Sequence, residues 1–379
     1  MKMLSPKHNL LIIISDTNKS HVFEWTHNLL VNTKNYNIYY VLIQNKSTHF
    51  EDFLKKNEVY YKVFTKKKIF MWPINIIKLI KLILRLKIDI IHAHLIEAGA
   101  ISMTAGFFLR VKKRIYTRHY STLNHVYYPK MVYIDRAINY FSTHLICISN
   151  NVANVLIYKE KVKLEKVHLI EHGLLFNEIN TLPRLDKNDF KSKCLRNINS
   201  YPIIGVVSRL LKLKGINYII DAFKLILNIY PNAHLLIIGN DGNDKEHLIN
   251  YLNFKIHKNN FTILNFDENI FSIYPIFDFF IHVPIDADIE AFGQTYIESL
   301  ASKVPCIFTL SGIAKDFIIN NKNAIVVSFK NSDEIYQSLI NLIENPELTK
   351  QIVLNGYNEV LKRFKIEDKI KQLNALYLE

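Results

Sequence analysis

The chain has 379 residues, 49% of them hydrophobic, with 23 Phe and 21 Tyr. This length exceeds one typical hydrophobic core, so two folded domains are expected, and the apolar content excludes a largely disordered chain. The three cysteines, Cys147, Cys194 and Cys306, have neither paired nor zinc-type spacing, which argues against a disulfide framework and a structural metal site.

The net charge of +14 is unevenly distributed along the chain. Residues 1–199 contain 31 Lys and Arg against 14 Asp and Glu, a balance of +17, whereas residues 200–379 contain 17 against 20, a balance of −3. Basic residues accompany apolar ones near 66–68, 78–87 and 110–114. This combination is typical of contact with an anionic membrane. Because no nucleic-acid motif accompanies it, we expect a peripheral membrane contact and no nucleic acid.

The apolar run at 10–14 is too short for a signal peptide and predicts a strand instead. No uncharged apolar run reaches the length of about 18 residues that a transmembrane helix needs. We therefore expect a cytoplasmic protein at the inner face of the cell membrane.

Apolar runs alternate with helical periodicities along the chain. They predict strands at 9–15, 38–43, 89–93, 114–116, 144–148 and 167–170, and helices at 21–33, 74–86, 98–110 and 151–159. A polar segment at 180–200 predicts a linker, the alternation returns from 203 to 327, and helices follow at 334–344, 346–364 and 365–378. The βα alternation predicts a doubly wound parallel sheet in each half.

A cationic segment follows the strand predicted at 201–208. Arg209 comes first, and Leu-Leu-Lys-Leu-Lys-Gly leads into a helix predicted at 216–229. Arginine offers a bidentate fork to a phosphate and lysine a compact charge. Lys214 is the lysine expected in that role, and Lys212 is the alternative.

Two carboxylates eight positions apart, Glu290 and Glu298, frame the segment Glu-Ala-Phe-Gly-Gln-Thr-Tyr-Ile-Glu. Glu290 follows a polar loop, and Glu298 falls in the first turns of a helix predicted at 294–303. The start of a helix offers unpaired backbone N–H groups and a positive dipole end, which favour a phosphate. The two carboxylates can then bind hydroxyls on either side of a bound diphosphate.

These segments resemble the motifs of the retaining nucleotide-sugar glycosyltransferases of the GT-B fold, in particular glycosyltransferase family 4 with its Glu-x7-Glu motif. In the family's order, the resemblance extends to the strand and glycine-bracketed loop at 234–242, the strand at 277–284 and the stretch at 311–324. Five motifs in order are more specific than any glycine-containing loop alone.

The resemblance implies an α/β architecture of two Rossmann-like doubly wound domains facing across a cleft. An acceptor-side domain at 1–185 would precede a nucleotide-sugar-binding domain at 186–364, and a C-terminal helix at 365–379 would cross back to the first. The implied reaction moves a sugar from a nucleoside-diphosphate sugar to a hydroxyl of a glycan or lipid-linked acceptor, in surface-polysaccharide or cell-envelope glycan synthesis. The family needs no cofactor or metal for it.

The family's site residues match individual positions of this chain. The donor-binding residues implied are Arg209, Lys214, Glu290, Ala291, Phe292, Gly293 and Glu298. The catalytic residues implied are Glu290, His119, Arg209 and Lys214. Arg209 and Lys214 would stabilise charge on the diphosphate, Glu290 would orient sugar hydroxyls, and Glu298 would bind the ribose.

Histidines mark the strand ends of the first half. His92 and His94 alternate along a predicted strand and therefore share one face. They lack an adjacent third metal ligand, and the family places its acceptor cleft here, so His94 is expected on the acceptor side. His119 matches the family's histidine that contacts the transferred sugar, and His125 is the alternative.

The chain departs from the family pattern at three places. The loop at 16–21 lacks the family's Gly-Gly pair, so either it lies farther from the donor or Asn18, Lys19 or Ser20 contacts phosphate or acceptor through a side chain. The loop before Glu290 is Pro-Ile-Asp-Ala-Asp-Ile where the family has Pro-Ser, and Ser-Lys at 302–303 replaces Cys-Gly. These departures leave the donor sugar and base open.

Two other functions fit the same fold. One is another GT-B enzyme, a nucleotide-sugar epimerase or a phosphorylase, although no cofactor-lysine sequence supports a phosphorylase. The other is a non-catalytic protein that binds a glycan or a membrane. The presence of Arg209, Lys214, Glu290 and Glu298 argues for the enzyme, and slow release of nucleoside diphosphate without acceptor would separate enzyme from binder.

Overall fold

The computed structural model describes residues 7–17, 21–181, 185–195, 197–239, 241–265 and 270–379. The chain divides into two compact units. Unit 1 comprises Met1–Gly173 and Ile366–Glu379, and unit 2 comprises Leu174–Lys365. Each unit is built on a parallel sheet whose strands alternate with helices, because parallel strands require long crossover connections. The predicted pair of Rossmann-like α/β domains is confirmed.

The described part of unit 1 contains a seven-stranded sheet. Its strands are β1 (His8–Ile14), β2 (Tyr36–Ile43), β3 (Tyr61–Phe64), β4 (Ile90–His94), β5 (Lys113–Arg118), β6 (His144–Cys147) and β7 (Val167–Leu169). They lie in the order β3-β2-β1-β4-β5-β6-β7 with parallel pairing. The apolar runs predict six of these strands. They miss β3, an edge strand whose middle residues are exposed, because it has no continuous apolar run.

Seven helices of unit 1 lie between or beside these strands in the described residues. They are α1 (His21–Asn32), α2 (His49–Lys56), α3 (Trp72–Leu86), α4 (Ile96–Phe108), α5 (Leu123–Tyr127), α6 (Met131–Phe141) and α7 (Asn150–Asn154), which continues as a π-helical turn at Val155–Lys159. The sequence pattern misses α2, α5 and α6. The first two are short, and α6 carries Tyr133 and Tyr140 on its exposed face.

Unit 2 contains a six-stranded parallel sheet in its described part. Its strands are β8 (Ile203–Val207), β9 (His234–Ile238), β10 (Phe261–Leu264), β11 (Phe279–His282), β12 (Cys306–Phe308) and β13 (Ile325–Val326). Their order is β10-β9-β8-β11-β12-β13. Its helices are α8 (Phe176–Thr181), α9 (Lys187–Cys194), α10 (Ile216–Ile229), α11 (Lys245–Lys255), α12 (Ile270–Ile273), α13 (Gln294–Ala301), α14 (Ala314–Phe317), α15 (Ser332–Glu344) and α16 (Pro346–Arg363).

The boundary between the units falls after Gly173, earlier than the predicted position at 185. Leu174 begins unit 2 because its backbone N–H donates to the Phe364 carbonyl at 2.8 Å. Phe176 then packs its ring edge-on against Tyr357 of α16. The described part of the segment 180–200, expected to be a linker, contains the end of α8 and all of α9, so it belongs to unit 2.

The C-terminal helix α17 (Ile366–Leu378) belongs to unit 1, where it packs against α1. Its buried face consists of Ile366, Ile370, Leu373, Leu376 and Tyr377. Polar contacts fix its last turn. Lys113 Nζ donates to the carbonyls of Leu376 and Tyr377 at 3.1 and 2.9 Å, as a cation at a helix C-terminus is expected to do.

We predict that the apolar face of α17 stabilises unit 1. Leu373→Ala should lower the free energy of unfolding by about 2–5 kcal/mol, because it removes a buried side chain and leaves a cavity. Leu378→Ala, on the same helix but 47% exposed, should cost less than about 0.5 kcal/mol. Denaturant unfolding followed by circular dichroism measures both, and an equal loss in the two variants would contradict the proposed packing.

Candidate active site

The loops that carry the predicted donor residues meet at the carboxyl edge of the unit 2 sheet. Arg209 and Lys214 follow β8, and Glu290 follows β11, its neighbour in the sheet. The chain order reverses between these strands, with β9 and β10 on one side and β12 and β13 on the other. Ligands of doubly wound sheets bind at this reversal, outside the carboxyl ends of the strands.

A glycine places Lys214 against the loop after β11. A 3-10 turn at Lys212–Lys214 ends at Gly215, whose φ of 71° is left-handed. A Cβ at Gly215 would lie 2.0 Å from the Val283 carbonyl oxygen, so this approach requires glycine. The Ile285 N–H donates to the Leu213 carbonyl at 3.0 Å and fixes the same contact. The Lys214 side chain can therefore reach Glu290.

The Glu290 carboxylate is held by two side chains, one in the turn after β8 and one at the end of the neighbouring strand β11. Lys214 Nζ lies 2.5 Å from Glu290 Oε1, and His282 Nε2 lies 3.0 Å from the same oxygen. Because a carboxylate only accepts, His282 Nε2 carries the proton. Burial alone raises the pKa of the Glu290 carboxyl, but the Lys214 charge and the His282 hydrogen bond outweigh burial and hold that pKa well below its usual range. Glu290 is therefore ionised at neutral pH.

Ser311 and Gly312, in the loop after β12, contact Glu290. Ser311 Oγ accepts from the Glu290 backbone N–H at 3.0 Å. Gly312 has a φ of 59°, and a Cβ there would lie 2.7 Å from Glu290 Cβ. This close approach explains why the segment after β12 matches the family's glycine-containing stretch. His282 of β11 and Ser311 after β12 therefore both help to position Glu290.

The three residues after Glu290 differ in how exposed they are and in which groups they can offer to a donor. Phe292 is buried, with its ring 6.0 Å from that of Phe364, so a donor contact from Phe292 would have to come from its backbone. Ala291 is half-buried, and Gly293 caps α13 without a side-chain hydrogen bond. The positive end of α13 thus starts directly after the Glu290 loop.

Glu298 occupies a separate environment within α13. It is 3% exposed and accepts a hydrogen bond from the Tyr274 hydroxyl at 3.1 Å. Glu290 lies in the preceding loop, so the two carboxylates of the motif stand on different elements. Their contacts differ as well, since Lys214 and His282 contact Glu290 while Tyr274 contacts Glu298.

Arg209 is exposed, and no ion-pair partner contacts it among the described residues. Its loop is nevertheless fixed, because the Leu210 N–H donates to the Asp241 carbonyl at 2.6 Å and the Lys212 N–H donates to Asp244 Oδ2 at 2.9 Å. The Lys212 side chain is exposed as well. Of the two candidate lysines, Lys214 is the one that contacts Glu290.

The histidines of unit 1 lie together at the carboxyl ends of β4 and β5. His94 Nδ1 and His119 Nε2 are 3.0 Å apart, and His119 stacks on His172. His125 points elsewhere: its Nε2 lies 2.9 Å from Glu160 Oε1, in a buried network with Arg118. Asn18 and Lys19, predicted on the acceptor side, lie outside the described residues. Across the described ranges, no group of three His, Cys, Asp or Glu side chains has the arrangement of a metal site.

Two family models match the chain, one in each half. The model described as "Glycosyltransferase Family 4" matches residues 39–174, and the one described as "Glycosyl transferases group 1" matches residues 188–359. Because both describe glycosyltransferases, they assign one enzyme class to the two halves of the chain.

Curated relatives of similar length share this assignment. The capsular polysaccharide biosynthesis glycosyltransferase CapM of Staphylococcus aureus is 25% identical over 315 residues, 80% of each chain. The alpha-monoglucosyldiacylglycerol synthase of Acholeplasma laidlawii is 26% identical over 314 residues, 78% of this chain and 76% of the relative. An Escherichia coli UDP-Gal:alpha-D-GlcNAc-diphosphoundecaprenol alpha-1,3-galactosyltransferase is 21% identical over 80% of this chain and 79% of its own.

Solved structures show the fold. Anabaena HepE in complex with UDP and glucose superposes with a TM-score of 0.82 at 18% identity, over 97% of this chain and 98% of its own. TarM superposes with a TM-score of 0.71 at 12% identity over 99% of both chains. With the family models, these likenesses define the class: the chain is a glycosyltransferase with the GT-B fold. In the described residues, no helix is both long and apolar enough to cross a membrane.

Two residues of the site are not assigned a role by the sequence pattern. His282 lies at the end of β11, where a buried strand residue is expected to be apolar. A histidine at such a position is the feature of the sequence that could have identified it as a site residue. Tyr274 precedes β11 and reaches Glu298 from outside the motif. Neither contact follows from local spacing, because the first depends on the path of the loop after β11 and the second on where α13 packs.

We predict that Lys214 and Glu290 are energetically coupled. In a double-mutant cycle of Lys214→Met and Glu290→Gln, the coupling should be about 1–3 kcal/mol at pH 7, because Lys214→Met alone leaves a buried carboxylate without its cation. The folded-state pKa of Glu290 is depressed, so this stabilisation is present above the unfolded-state pKa of about 4.3 and is lost as pH falls below it.

Denaturant unfolding of the four proteins at pH 7 and at about pH 3 measures this coupling. Lys350→Met, which removes an exposed lysine of α16, serves as the control for the loss of a positive charge. Additive effects of the two substitutions at pH 7 would contradict the ion pair.

Proposed function

We propose that the protein is a retaining glycosyltransferase that transfers a sugar from a nucleoside-diphosphate sugar to a hydroxyl of a glycan or lipid-linked acceptor. The carrying observation is the buried contact of Lys214 and His282 with Glu290 at the strand-order reversal, in the same loops as the exposed Arg209. A cationic loop beside an oriented carboxylate suits a substrate that joins a diphosphate to a polyhydroxyl ring.

Arg209 and Lys214 would stabilise the negative charge that develops on the diphosphate as the glycosidic bond breaks. Arg209 has its whole guanidinium available among the described residues, and a guanidinium can bind phosphate through two hydrogen bonds. Lys214 is already bound to Glu290, but an ammonium has three donors and can contact a phosphate as well. Because these side chains supply positive charge, we propose that no resident metal is required.

The two glutamates would bind opposite ends of the donor. Glu290, fixed by Lys214 and His282, would orient hydroxyls of the transferred sugar. Glu298 would accept ribose hydroxyls, because a carboxylate has about four acceptor positions for hydrogen bonds. The leaving phosphate would accept the proton of the attacking hydroxyl. His94 would lie on the acceptor side, and His119 would contact the transferred sugar.

The relatives support a substrate class. Their names describe a capsular polysaccharide, a glucosyl lipid and a sugar linked to diphosphoundecaprenol, and two of them specify alpha products. HepE was solved with UDP and with UDP-glucose. A UDP-sugar donor and a role in cell-envelope glycan synthesis therefore form our proposal for this chain.

We predict that Arg209→Ala lowers kcat by 10²- to 10³-fold, about 3 kcal/mol, because it removes charge stabilisation of the leaving group. The donor is first selected from UDP-, GDP- and ADP-sugars by the rise in melting temperature that ligand binding causes. Nucleoside diphosphate release then measures turnover, and NMR of the product measures its anomeric configuration.

Lys224→Ala, which removes an exposed cation of α10, should leave the rate unchanged. Unaltered turnover in Arg209→Ala would refute its assignment, and inversion at the anomeric carbon would refute the retaining reaction. Binding of nucleotide sugar without any turnover would favour a non-catalytic protein instead.

We further propose that α3 and the turn before it contact an anionic membrane. Their exposed face combines apolar and basic side chains in helical register: Ile69, Phe70, Ile74, Ile77, Lys78, Lys81, Leu84 and Arg85. The opposite face packs into unit 1 through Trp72, Leu79, Leu82 and Ile83. Exposed isoleucines flanked by lysines fit the boundary between lipid headgroups and acyl chains.

We predict that changing Lys78, Lys81, Arg85 and Lys87 to Gln weakens binding to phosphatidylserine-containing vesicles by several kcal/mol, since each charge near an anionic surface contributes about 1 kcal/mol. Binding of the wild type should also fall between 0.1 and 1 M salt, as the Debye length shrinks from about 10 to about 3 Å. Vesicle co-sedimentation measures both effects.

The matched control changes four exposed lysines of unit 2, Lys322, Lys330, Lys350 and Lys362, to Gln. It alters the net charge by the same amount but should retain vesicle binding. Equal losses in the two variants would show that only net charge matters and that α3 is not the contact face.

A further inference from the structure

A pocket lined by both polar and apolar side chains lies within unit 1, at the carboxyl ends of β4 and β5. Its polar lining comes from four histidines, two tyrosines, two threonines and one lysine: His92, His94, His119, His172, Tyr40, Tyr377, Thr26, Thr117 and Lys369. The remaining walls are aliphatic or aromatic, with Ile12, Val22, Phe23 and Leu373 among them. No carboxylate lines this pocket among the described residues.

The lysine of this pocket comes from the far end of the chain. α17 packs its apolar face on unit 1, and this packing brings Lys369 beside α1, where Nζ donates to Thr26 Oγ1 at 3.3 Å. No Asp or Glu of the described residues forms an ion pair with Lys369. Burial lowers the pKa of the Lys369 amine to about 8, so the amine is still mainly protonated at pH 7.

His92, His94 and His119, which line the pocket with Lys369, are neutral and held by hydrogen bonds. His92 contacts the Tyr377 hydroxyl at 2.5 Å and Thr117 Oγ1 at 2.7 Å, so both of its nitrogens are used. Burial and the Lys369 charge lower the pKa of both His92 and His119 to about 3. Lys369 therefore places a positive charge beside three neutral imidazoles, and no carboxylate lines the pocket among the described residues.

We propose that this pocket binds an anionic group of the acceptor, a phosphate or a carboxylate, with Lys369 as its counter-ion and one imidazole of the His94–His119 pair as an N–H donor. The acceptor assignment rests on the proposed function. An ammonium removed from water without a paired anion is unfavourable, and an entering anion would remove that cost. Neutral imidazoles suit this ligand because the bond between His94 and His119 uses one N–H and leaves the other N–H of the pair for an anion, without adding charge repulsion around Lys369.

The aliphatic walls of the pocket also determine which kind of molecule should carry the anionic group. Ile12, Val22 and Leu373 border the same space as Lys369. Apolar walls favour an anionic group that is attached to a larger body over a small ion that keeps its hydration shell. Phosphate and glucuronate, which differ in the anionic group and in the body attached to it, therefore serve as the two probes.

The test is calorimetric titration of the full chain with inorganic phosphate and with glucuronate, in the presence of excess UDP so that the phosphate site of unit 2 is occupied. Lys369→Met keeps the length of the side chain but removes its charge. It should weaken binding of the preferred probe about ten-fold or more, as expected for loss of a charge-assisted hydrogen bond. Lys371→Met, an exposed lysine on the same helix, should bind like the wild type.

The pH dependence supplies a second readout. The glucuronate carboxylate does not titrate between pH 7 and 9, whereas the Lys369 amine loses its proton near pH 8. Affinity of the wild type should therefore fall from pH 7 to pH 9, and Lys369→Met should abolish that dependence. The other titratable groups facing the amine are His92, His94, His119, His172, Tyr40 and Tyr377.

Failure to bind either probe, or equal binding by wild type and Lys369→Met, would overturn the anion site. Thermal unfolding of Lys369→Met checks its fold, and its melting temperature should equal or exceed that of the wild type because an unbalanced buried charge is gone. UDP binding by the wild type is measured separately. Its absence would refute the proposed function, whereas loss of anion binding alone would refute only the inference about unit 1.

Discussion

The candidate site of unit 2 depends on one ion pair, between Lys214 after β8 and Glu290 after β11. A buried carboxylate is tolerated only where a cation and hydrogen bonds compensate its lost hydration. The parallel sheet places both loops at one edge, Gly215 lets the first loop approach the carbonyl of Val283, and His282 supplies the additional donor. Backbone conformation, strand order and charge thus serve the same contact, and a change in any of them should displace Glu290.

The two units treat buried charge in different ways. Unit 2 balances the carboxylate of Glu290 internally, so its site exists before a ligand arrives, and Arg209 remains exposed for an anion. Unit 1 places the ammonium of Lys369 among neutral imidazoles without a carboxylate in the pocket lining. An electrostatically balanced site can orient hydroxyls, whereas an unbalanced one favours a charged ligand. This difference is the physical basis for assigning different substrate chemistry to the two units.

Much of the fold could be predicted from local sequence, because buried parallel strands are continuous apolar runs and long helices have a clear period. Two elements that local sequence does not predict have exposed residues: β3 is an edge strand with an exposed middle, and α6 displays Tyr133 and Tyr140 to solvent. The residue types at 209, 214, 290 and 298 could be read from their motifs. The pairing of Lys214 with Glu290 could not, since it requires knowledge that β8 and β11 are adjacent. The contacts of His282 and Tyr274 could not either, since they depend on the path of the loop after β11 and on where α13 packs.

Lys369 illustrates the limit of local patterns most clearly. In sequence it is one of several lysines on a C-terminal amphipathic helix, and by itself such a residue indicates a solvated surface. Its environment changes because Ile370, Leu373 and Tyr377 of the same helix are buried in unit 1. Tyr377 also hydrogen-bonds His92 in the middle of β4. The packing that stabilises unit 1 therefore also fixes this pocket, so the stability of unit 1 and the proposed acceptor recognition depend on one helix.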